Sequence, residues 1–254
     1  MTATTSPAFQ PVVTAAILVI GDEILSGRTK DKNIGYIAEY LTNIGIELRE
    51  VRVVPDLTDE IVSALNALRA RYTYVFTTGG IGPTHDDITA DSVAAAFGVP
   101  IDYDQRAVDM LLERFPKEQL NEARMRMARI PAGAELIANA VSKAPGFTIG
   151  NVHVMAGVPA IMQAMLDVVA PTLKTGAKIL SETVRAGLRE GDIGTPLAQI
   201  ASAHPECSIG SYPFWSETGP DTNIVIRSRD AEKLERAVAA VRSMVDAERL
   251  RLQG

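Results

Sequence analysis

Residues 75–93 read VFTTGGIGPTHDDITADSV. A β-type run ends in two threonines and meets Gly79, Gly80, Gly82 and Pro83, and two adjacent acids, Asp86 and Asp87, then precede a segment of helical character. Glycines at a strand end let the backbone approach a ligand and turn its N–H groups inward. A helix beginning near Ile88 would add the positive end of its dipole, which favours phosphate. The aspartates admit two readings. One of them caps the helix, a role worth about 1 kcal/mol. Alternatively, at least one carboxylate holds Mg²⁺, which commonly bridges one or two carboxylates and substrate phosphates.

The flanking sequence places this loop in an α/β fold. AAILVI (15–20) is a continuous apolar run of the kind expected for a strand buried on both faces. Ile34, Ile37, Ala38, Leu41 and Ile44 recur at helical spacing and Gly45 follows as a stop. IELREVRVV (46–54) alternates as a strand, and Ile61, Leu65 and Leu68 mark a second helix over 58–70. YTYVFTT is the next strand. This βαβαβ order predicts right-handed crossovers and a three-layer, parallel-rich sheet with helices on both faces. Helices are predicted over 88–97, 104–114 and 121–129, then a hairpin around GFTIG and NVHVMAG, then a helix from Pro159 to about Leu173.

The pattern changes near residue 178. KILSETVRAGL reads as extended, DIGTPLAQIASAHP as helical, CSIGSYPFW and TNIVIRSRD as extended, and 231–249 as an amphipathic helix with Leu234, Val238, Val241 and Val245 on its apolar stripe. The expected organisation is a disordered lead-in over 1–14, a domain over 15–175 and a small α+β domain over 176–254, with the boundary in KTGAK (174–178). Its strand order is similar to that of a KH domain, but neither REGD nor IGSY supplies a GXXG loop, so packing or dimerisation is its expected role.

Composition limits the function. The 254 residues carry 31 acidic and 25 basic side chains, a formal charge of −6, which argues against general nucleic-acid binding. The one short basic stretch, RMRMAR (124–129), is either a local basic patch or, as the favoured reading, the solvated face of a helix. Cys207 is the only cysteine, so neither an intrachain disulfide nor a cysteine-based zinc cluster is available. No apolar run reaches the ~18 residues needed to span a bilayer, and the N-terminus lacks the positive start of a secretory signal. A cytoplasmic protein without a membrane association is the expectation.

Open α/β sheets bind ligands at strand C-terminal ends, and two loops qualify: GDEILSGRTKDKN after the first strand and TTGGIGPTHDD after the third. The spacing of Gly79, Gly80 and Gly82 is not that of G-x-G-x-x-G, and GDEILSGRT has arginine where a Walker A loop needs lysine. Asp56, ending the second strand, reaches toward the same crevice or caps the helix at 58–70, where Thr58 competes. Asp22 and Glu23 either orient a ribose or a second metal, or are acids in a solvent-facing turn. His85 either donates to phosphate or is an exposed loop histidine without a role; His153 reads as structural and His204 as a helix-end residue. No Ser–His–acid set is present, so covalent catalysis is not expected.

TTGGIGPTHDDIT closely resembles the signature of the molybdopterin-binding domain superfamily, in the variant carried by competence/damage-inducible protein A; the same domain occurs in eukaryotic FAD synthases. The resemblance extends to GDEILSG…DKNIGYIAEYL, with Asp31 and Asn33 at motif positions, and to NAVSKAPGF and AGVPAIM, covering 15–172. The segment EGDIGTPLAQIASAHPECSIGSYPF is similar to the small domain that follows in those proteins. The resemblance implies a crevice for a nucleotide diphosphate or a pterin phosphate. It implies catalytic acids at Asp56 and Asp87, with Mg²⁺ or another divalent cation on Asp56, Asp86 and Asp87. It further places phosphate on Thr78, Gly79, Gly80, Gly82, Pro83 and Thr84, and a nucleoside or pterin beside Gly21, Asp22, Glu23, Ser26 and Asn33. The implied activity is metal-dependent cleavage of ADP-ribose or FAD; the alternatives are molybdopterin adenylylation and non-catalytic nucleotide or pterin binding. Self-association into a homo-oligomer is implied as well. Three positions depart from the family pattern: Ala156 stands where proline is common, Ile161 where an acid is common, and Ser142 where glycine is common. Long members also carry a deamidase domain that this chain lacks, so that activity is not expected.

Overall fold

The apolar run at 15–20 lies in β1 (Val13–Ile20), where Ala15, Ala16, Ile17 and Leu18 are wholly inaccessible to solvent. The computed structural model describes residues 12–217 and 219–253. The expected lead-in over 1–14 lies outside the described residues as far as residue 11, but Val13 and Thr14 already belong to β1, where they pair with Ile46 and Glu47. The chain divides into two compact units, 1–176 and 177–254.

In the first unit a short helix, α1 (Asp22–Leu25), follows β1 and precedes α2 (Asn33–Asn43). Then come β2 (Ile46–Val54), α3 (Thr58–Arg71), β3 (Tyr74–Thr78), α4 (Thr89–Phe97), β4 (Ile101–Tyr103) and α5 (Gln105–Leu112). They are followed by α6 (Glu122–Arg126), β5 (Arg129–Pro131), β6 (Glu135–Ile137), β7 (Gly146–Ile149), β8 (Val152–Met155) and α7 (Pro159–Val169). The main sheet has the order β2-β1-β3-β8-β7-β6, and β4 pairs separately with β5. Strands β2, β1, β3 and β8 are mutually parallel, whereas β7 and β6 join in antiparallel register.

Alternation along β1 creates the three layers. Ala16, Leu18 and Ile20 pack with Ile61, Leu65 and Leu68 of α3 and with Val93 of α4. Ala15, Ile17 and Val19 pack on the opposite face with Ile37 and Leu41 of α2 and with Met162 and Leu166 of α7. Each fully buried aliphatic side chain contributes roughly 1.5–3 kcal/mol, so both faces of the sheet are committed and the strand ends remain for a ligand.

The sequence reading missed α1, β4, β5 and β6, all segments of three or four residues. It also carried helix through 129, whereas α6 stops at Arg126 and Arg129 enters β5. The helix from Pro159 ends at Val169, and a 3₁₀ turn containing Pro171 follows.

The second unit consists of β9 (Leu180–Arg185), α8 (Glu190–Ala203), β10 (Ser208–Ser216), β11 (Gly219–Ser228) and α9 (Ala231–Gln253). Its sheet, β10-β11-β9, is antiparallel throughout. Ile193 and Leu197 of α8 meet Ile224 and Ile226 of β11 and the α9 stripe of Leu234, Val238, Val241 and Val245. Asp221 is buried and accepts from Arg185 Nε at 2.6 Å and from the N–H groups of Gly187 and Thr222 at 2.7 Å each. No described helix is long and apolar enough to cross a membrane.

Candidate functional site

The candidate site is assembled where β1, β2, β3 and β8 end side by side. Gly79 leaves β3 by donating its N–H to Met155 O at 3.2 Å. A Cβ on Gly79 would lie 2.1 Å from Ile20 O, so only glycine passes between β1 and β8 here. Gly80 follows with φ +65, and a Cβ there would meet Thr89 Oγ1 at 2.2 Å. Thr89, fully buried at the start of α4, closes the loop by donating Oγ1 to Gly79 O and N–H to Gly80 O, each at 3.0 Å. Nothing in the sequence pattern marked Thr89 as the clamp. Between these fixed points, the N–H groups of Gly80, Ile81 and Gly82 donate to no protein group among the described residues. Consecutive free amides of this kind are the geometry from which anion-binding concavities are made.

The capping reading of the two aspartates is overturned. Ile88 occupies the N-cap position of α4 and no side chain caps that helix. Asp87 instead folds back on its own loop: its Oδ2 accepts from Thr84 N–H at 2.8 Å and from Thr84 Oγ1 at 2.5 Å. Both Thr84 groups expected to meet phosphate are thereby engaged by Asp87. Asp86 is exposed, and hydrogen bonding from Thr84 first, then its own backbone N–H, holds its carboxyl below the ordinary range. Asp56 does not cap α3, whose N-cap is Leu57 with no side-chain bond. Its Oδ2 accepts from Asp22 N–H at 2.9 Å. Burial first, and then the charges of Asp22, Glu23 and Asp86, push the Asp56 carboxyl above the usual range. A half-buried carboxylate crowded by like charges is a donor set that a divalent cation relieves. Among the described residues no three acidic, histidine or cysteine side chains converge as a closed cage. Asp56, Asp86 and Asp87 are therefore not gathered into a three-carboxylate site; a cation held there would need water and phosphate to complete its ligands.

Two cavities flank the loop. The larger, about 570 Å³, is bordered by Glu23, Gly79, Gly80, Gly82, Pro83 and Asp87 and has an apolar floor of Phe115, Met127, Ala156, Ile161 and Met165. Ser142 lines it too, so all three positions that depart from the family pattern face one space. Ser142 Oγ also accepts from Asn139 Nδ2 at 2.6 Å, which ties the 139–146 turn. The smaller cavity, about 220 Å³, is lined by Glu23, Lys30, Asp31, Lys32, Asn33 and Thr78 among others. Asn33 is buried; its Nδ2 donates to Gly157 O at 2.8 Å, and its Oδ1 has no partner among the described residues. Asp31 Oδ1 accepts from the N–H groups of Asn33 and Ile34, opening α2. Thr78 Oγ1 is likewise buried and unpartnered. Gly157 packs against Gly79, where an added Cβ would stand 3.3 Å from its Cα. Gly21, Asp22, Ser26, Asp56, Thr84 and Asp86 line neither of these two cavities.

The RMRMAR stretch is not a solvated helix face. Arg129 is fixed bidentately on Asp91 at 2.7 and 2.6 Å, Arg124 lies over the Phe115 ring at 4.5 Å, and Arg126 turns toward the glycine loop. His153 sits in β8, stacked on Phe76 with ring centres 5.1 Å apart and Nδ1 2.9 Å from Thr148 Oγ1, away from the site. His204 ends α8.

Comparison with known proteins follows the same division of the chain. Residues 16–175 match the family described as "Probable molybdopterin binding domain". The chain belongs to the molybdopterin-binding-domain family. Residues 178–253 of this molybdopterin-binding-domain protein match the family described as "FAD synthase, middle domain". A protein of Archaeoglobus fulgidus is 31% identical over 234 residues, which cover 92% of this chain and 98% of its own. A protein of Aeropyrum pernix is 32% identical over 237 residues, covering 89% and 88%. The crystal structure of the protein CinA of Thermoplasma acidophilum, of unknown function, is 33% identical and covers 63% of this chain and 98% of that one, with a TM-score of 0.60. These likenesses establish the family and the fold.

Proposed function

We propose that this chain hydrolyses the pyrophosphate bond of a nucleotide diphosphate of the ADP-ribose or FAD type, with Mg²⁺ or another divalent cation. The observation that carries the reading is the row of unpaired N–H groups at Gly80, Ile81 and Gly82, which share a cavity wall with Asp87. Hydrolysis adds water across P–O–P and yields two monophosphates, and negative charge grows on the phosphoryl oxygens on the way. Preorganised backbone donors are suited to that charge because they need not reorient as it develops. Asp56, Asp86 and Asp87 are the residues that would hold a cation, which when bound polarises phosphoryl oxygen and acidifies water. Asn33, with Oδ1 unpartnered, and Glu23 offer acceptors to the hydroxyls of a ribose on the side of the smaller cavity.

A second reading is adenylyl transfer to a pterin. The cavity of about 570 Å³ beside the loop favours it, since its apolar floor is wide enough for an acceptor ring. Phosphorus NMR of the purified protein with Mg²⁺ and ADP-ribose, FAD or NAD, alongside Asp87→Ala, decides between them. Two monophosphates formed by the wild type and not by the variant support hydrolysis. Broadened diphosphate signals without turnover count against it and leave transfer or simple binding.

A further inference from the structure

Arg126 is half-buried and lines, with Gly80, Gly82 and Asp87, the small cavity behind the glycine loop. A guanidinium has five N–H donors, yet among the described residues Arg126 makes no ion pair. Its one hydrogen bond to protein is a long one, from an Nη to Asp87 O at 3.4 Å. Its Nε is buried with no partner. The neighbouring arginines are committed: Arg129 is paired bidentately with Asp91, Arg124 donates to Gln119 O while covering Phe115, and Arg114 donates to Val141 O at 2.6 Å. A buried guanidinium N–H such as this Nε, left without an acceptor, is costly unless a ligand supplies one, and phosphate oxygens match the fork.

We propose that Arg126 is a phosphate-binding residue of the glycine loop, adding a guanidinium to the anion seat made by the amides of residues 80–82. The inference rests on the loop being a phosphate seat, as in the function proposed above, but not on hydrolysis taking place. Inorganic pyrophosphate is the probe, because it carries the anion without a base or sugar.

The experiment is calorimetric titration of the full chain with pyrophosphate at several salt concentrations, using wild type, Arg126→Gln, Arg126→Lys and Arg129→Gln, with melting temperatures for each. Loss of a charge-assisted hydrogen bond predicts affinity about ten- to a hundredfold weaker in Arg126→Gln. Arg126→Lys should fall between, the salt dependence should flatten in Arg126→Gln and persist in Arg126→Lys, and both melting temperatures should stay within about 2 °C of wild type. Arg129→Gln should show the reverse, a lower melting temperature with pyrophosphate affinity kept. Wild-type affinity in Arg126→Gln overturns the proposal. So does a weakened affinity that tracks lost stability equally in Arg126→Gln and Arg129→Gln, because Arg126 is then only a prop for Asp87. If wild type binds pyrophosphate but cleaves none of the dinucleotides, the hydrolase reading fails and this inference stands.

Discussion

Thr89 Oγ1 stands 2.2 Å from the point where a Cβ on Gly80 would be. That contact, with the two hydrogen bonds Thr89 makes to the carbonyls of Gly79 and Gly80, fixes the curvature that leaves the next amides unpaired. Gly80→Ala should therefore be destabilised by about 2–3 kcal/mol from the clash and the left-handed φ together, and should lose pyrophosphate binding. Adding Thr89→Ala removes the obstructing oxygen, so the double variant should recover about 1 kcal/mol relative to the sum of the singles. Urea denaturation of the four proteins measures this. Strict additivity would mean the clash is relieved elsewhere. Gly79→Ala should have no such partner, since its obstacle is the backbone oxygen of Ile20.

The Asp87 latch on Thr84 makes a separate prediction. Breaking the Oγ1 bond with Thr84→Val leaves Asp87 with one protein donor fewer and more of its charge available. A hydrogen bond to a charged group is worth about 1.5–3 kcal/mol at most, and Thr84 N–H still holds Asp87. The variant should therefore bind Mg²⁺ several-fold more tightly than wild type in the absence of nucleotide. Titration calorimetry with MgCl₂ checks it, and weaker binding would assign Thr84 to the ligand rather than to the latch.

Asp56 gives a prediction with a defined sign. Its carboxyl is raised by burial and by the neighbouring acids, so the folded chain holds a proton there more readily than the unfolded chain. Stability must then fall as pH rises from the unfolded aspartate value through the raised folded one, and the cost is fully present above it. Asp56→Asn keeps an acceptor for Asp22 N–H and should be more stable than wild type at pH 7 but not at pH 4. Mg²⁺ at ten times its Kd should stabilise wild type by about 1.4 kcal/mol and Asp56→Asn by much less, an effect that EDTA should reverse. Thermal melts at the two pH values test both parts.

The legible parts of this protein are those whose pattern follows from local physics. The run at 15–20 announced β1 because a strand covered on both faces must be apolar throughout, and 231–249 announced its helix because one stripe had to be buried. The glycine loop was legible as a tight strand-end turn, and the structure gives the reason for Gly79 and Gly80: a Cβ there would meet Ile20 O or Thr89 Oγ1. Strands β4, β5 and β6 were not, because three residues carry no periodicity and their pairing is set by distant partners such as Pro131 opposite Ile101. The roles within the site were less legible still. Whether Asp87 caps a helix or latches Thr84 depends on half a turn of backbone, and Arg126 and Arg129 differ only in that Asp91 lies within reach of one of them.

His153 contributes a second pH dependence, on the acid side. It is buried in β8 against Phe76 and Tyr74, and burial pushes its imidazole down from 6.5 to about 4. The folded-state value lies below the unfolded one, so the stabilisation is complete above pH 6.5 and is lost as pH falls toward 4, where unfolded chains take up the proton first. A difference of about 2.5 units corresponds to roughly 3 kcal/mol across that window. His153→Phe keeps the ring stack and removes the titration, giving up only the contact with Thr148 Oγ1. Its urea midpoint should be slightly below wild type at pH 7 and above it at pH 4.5. Parallel pH profiles for the two proteins would show that the acid loss of stability arises at some other group.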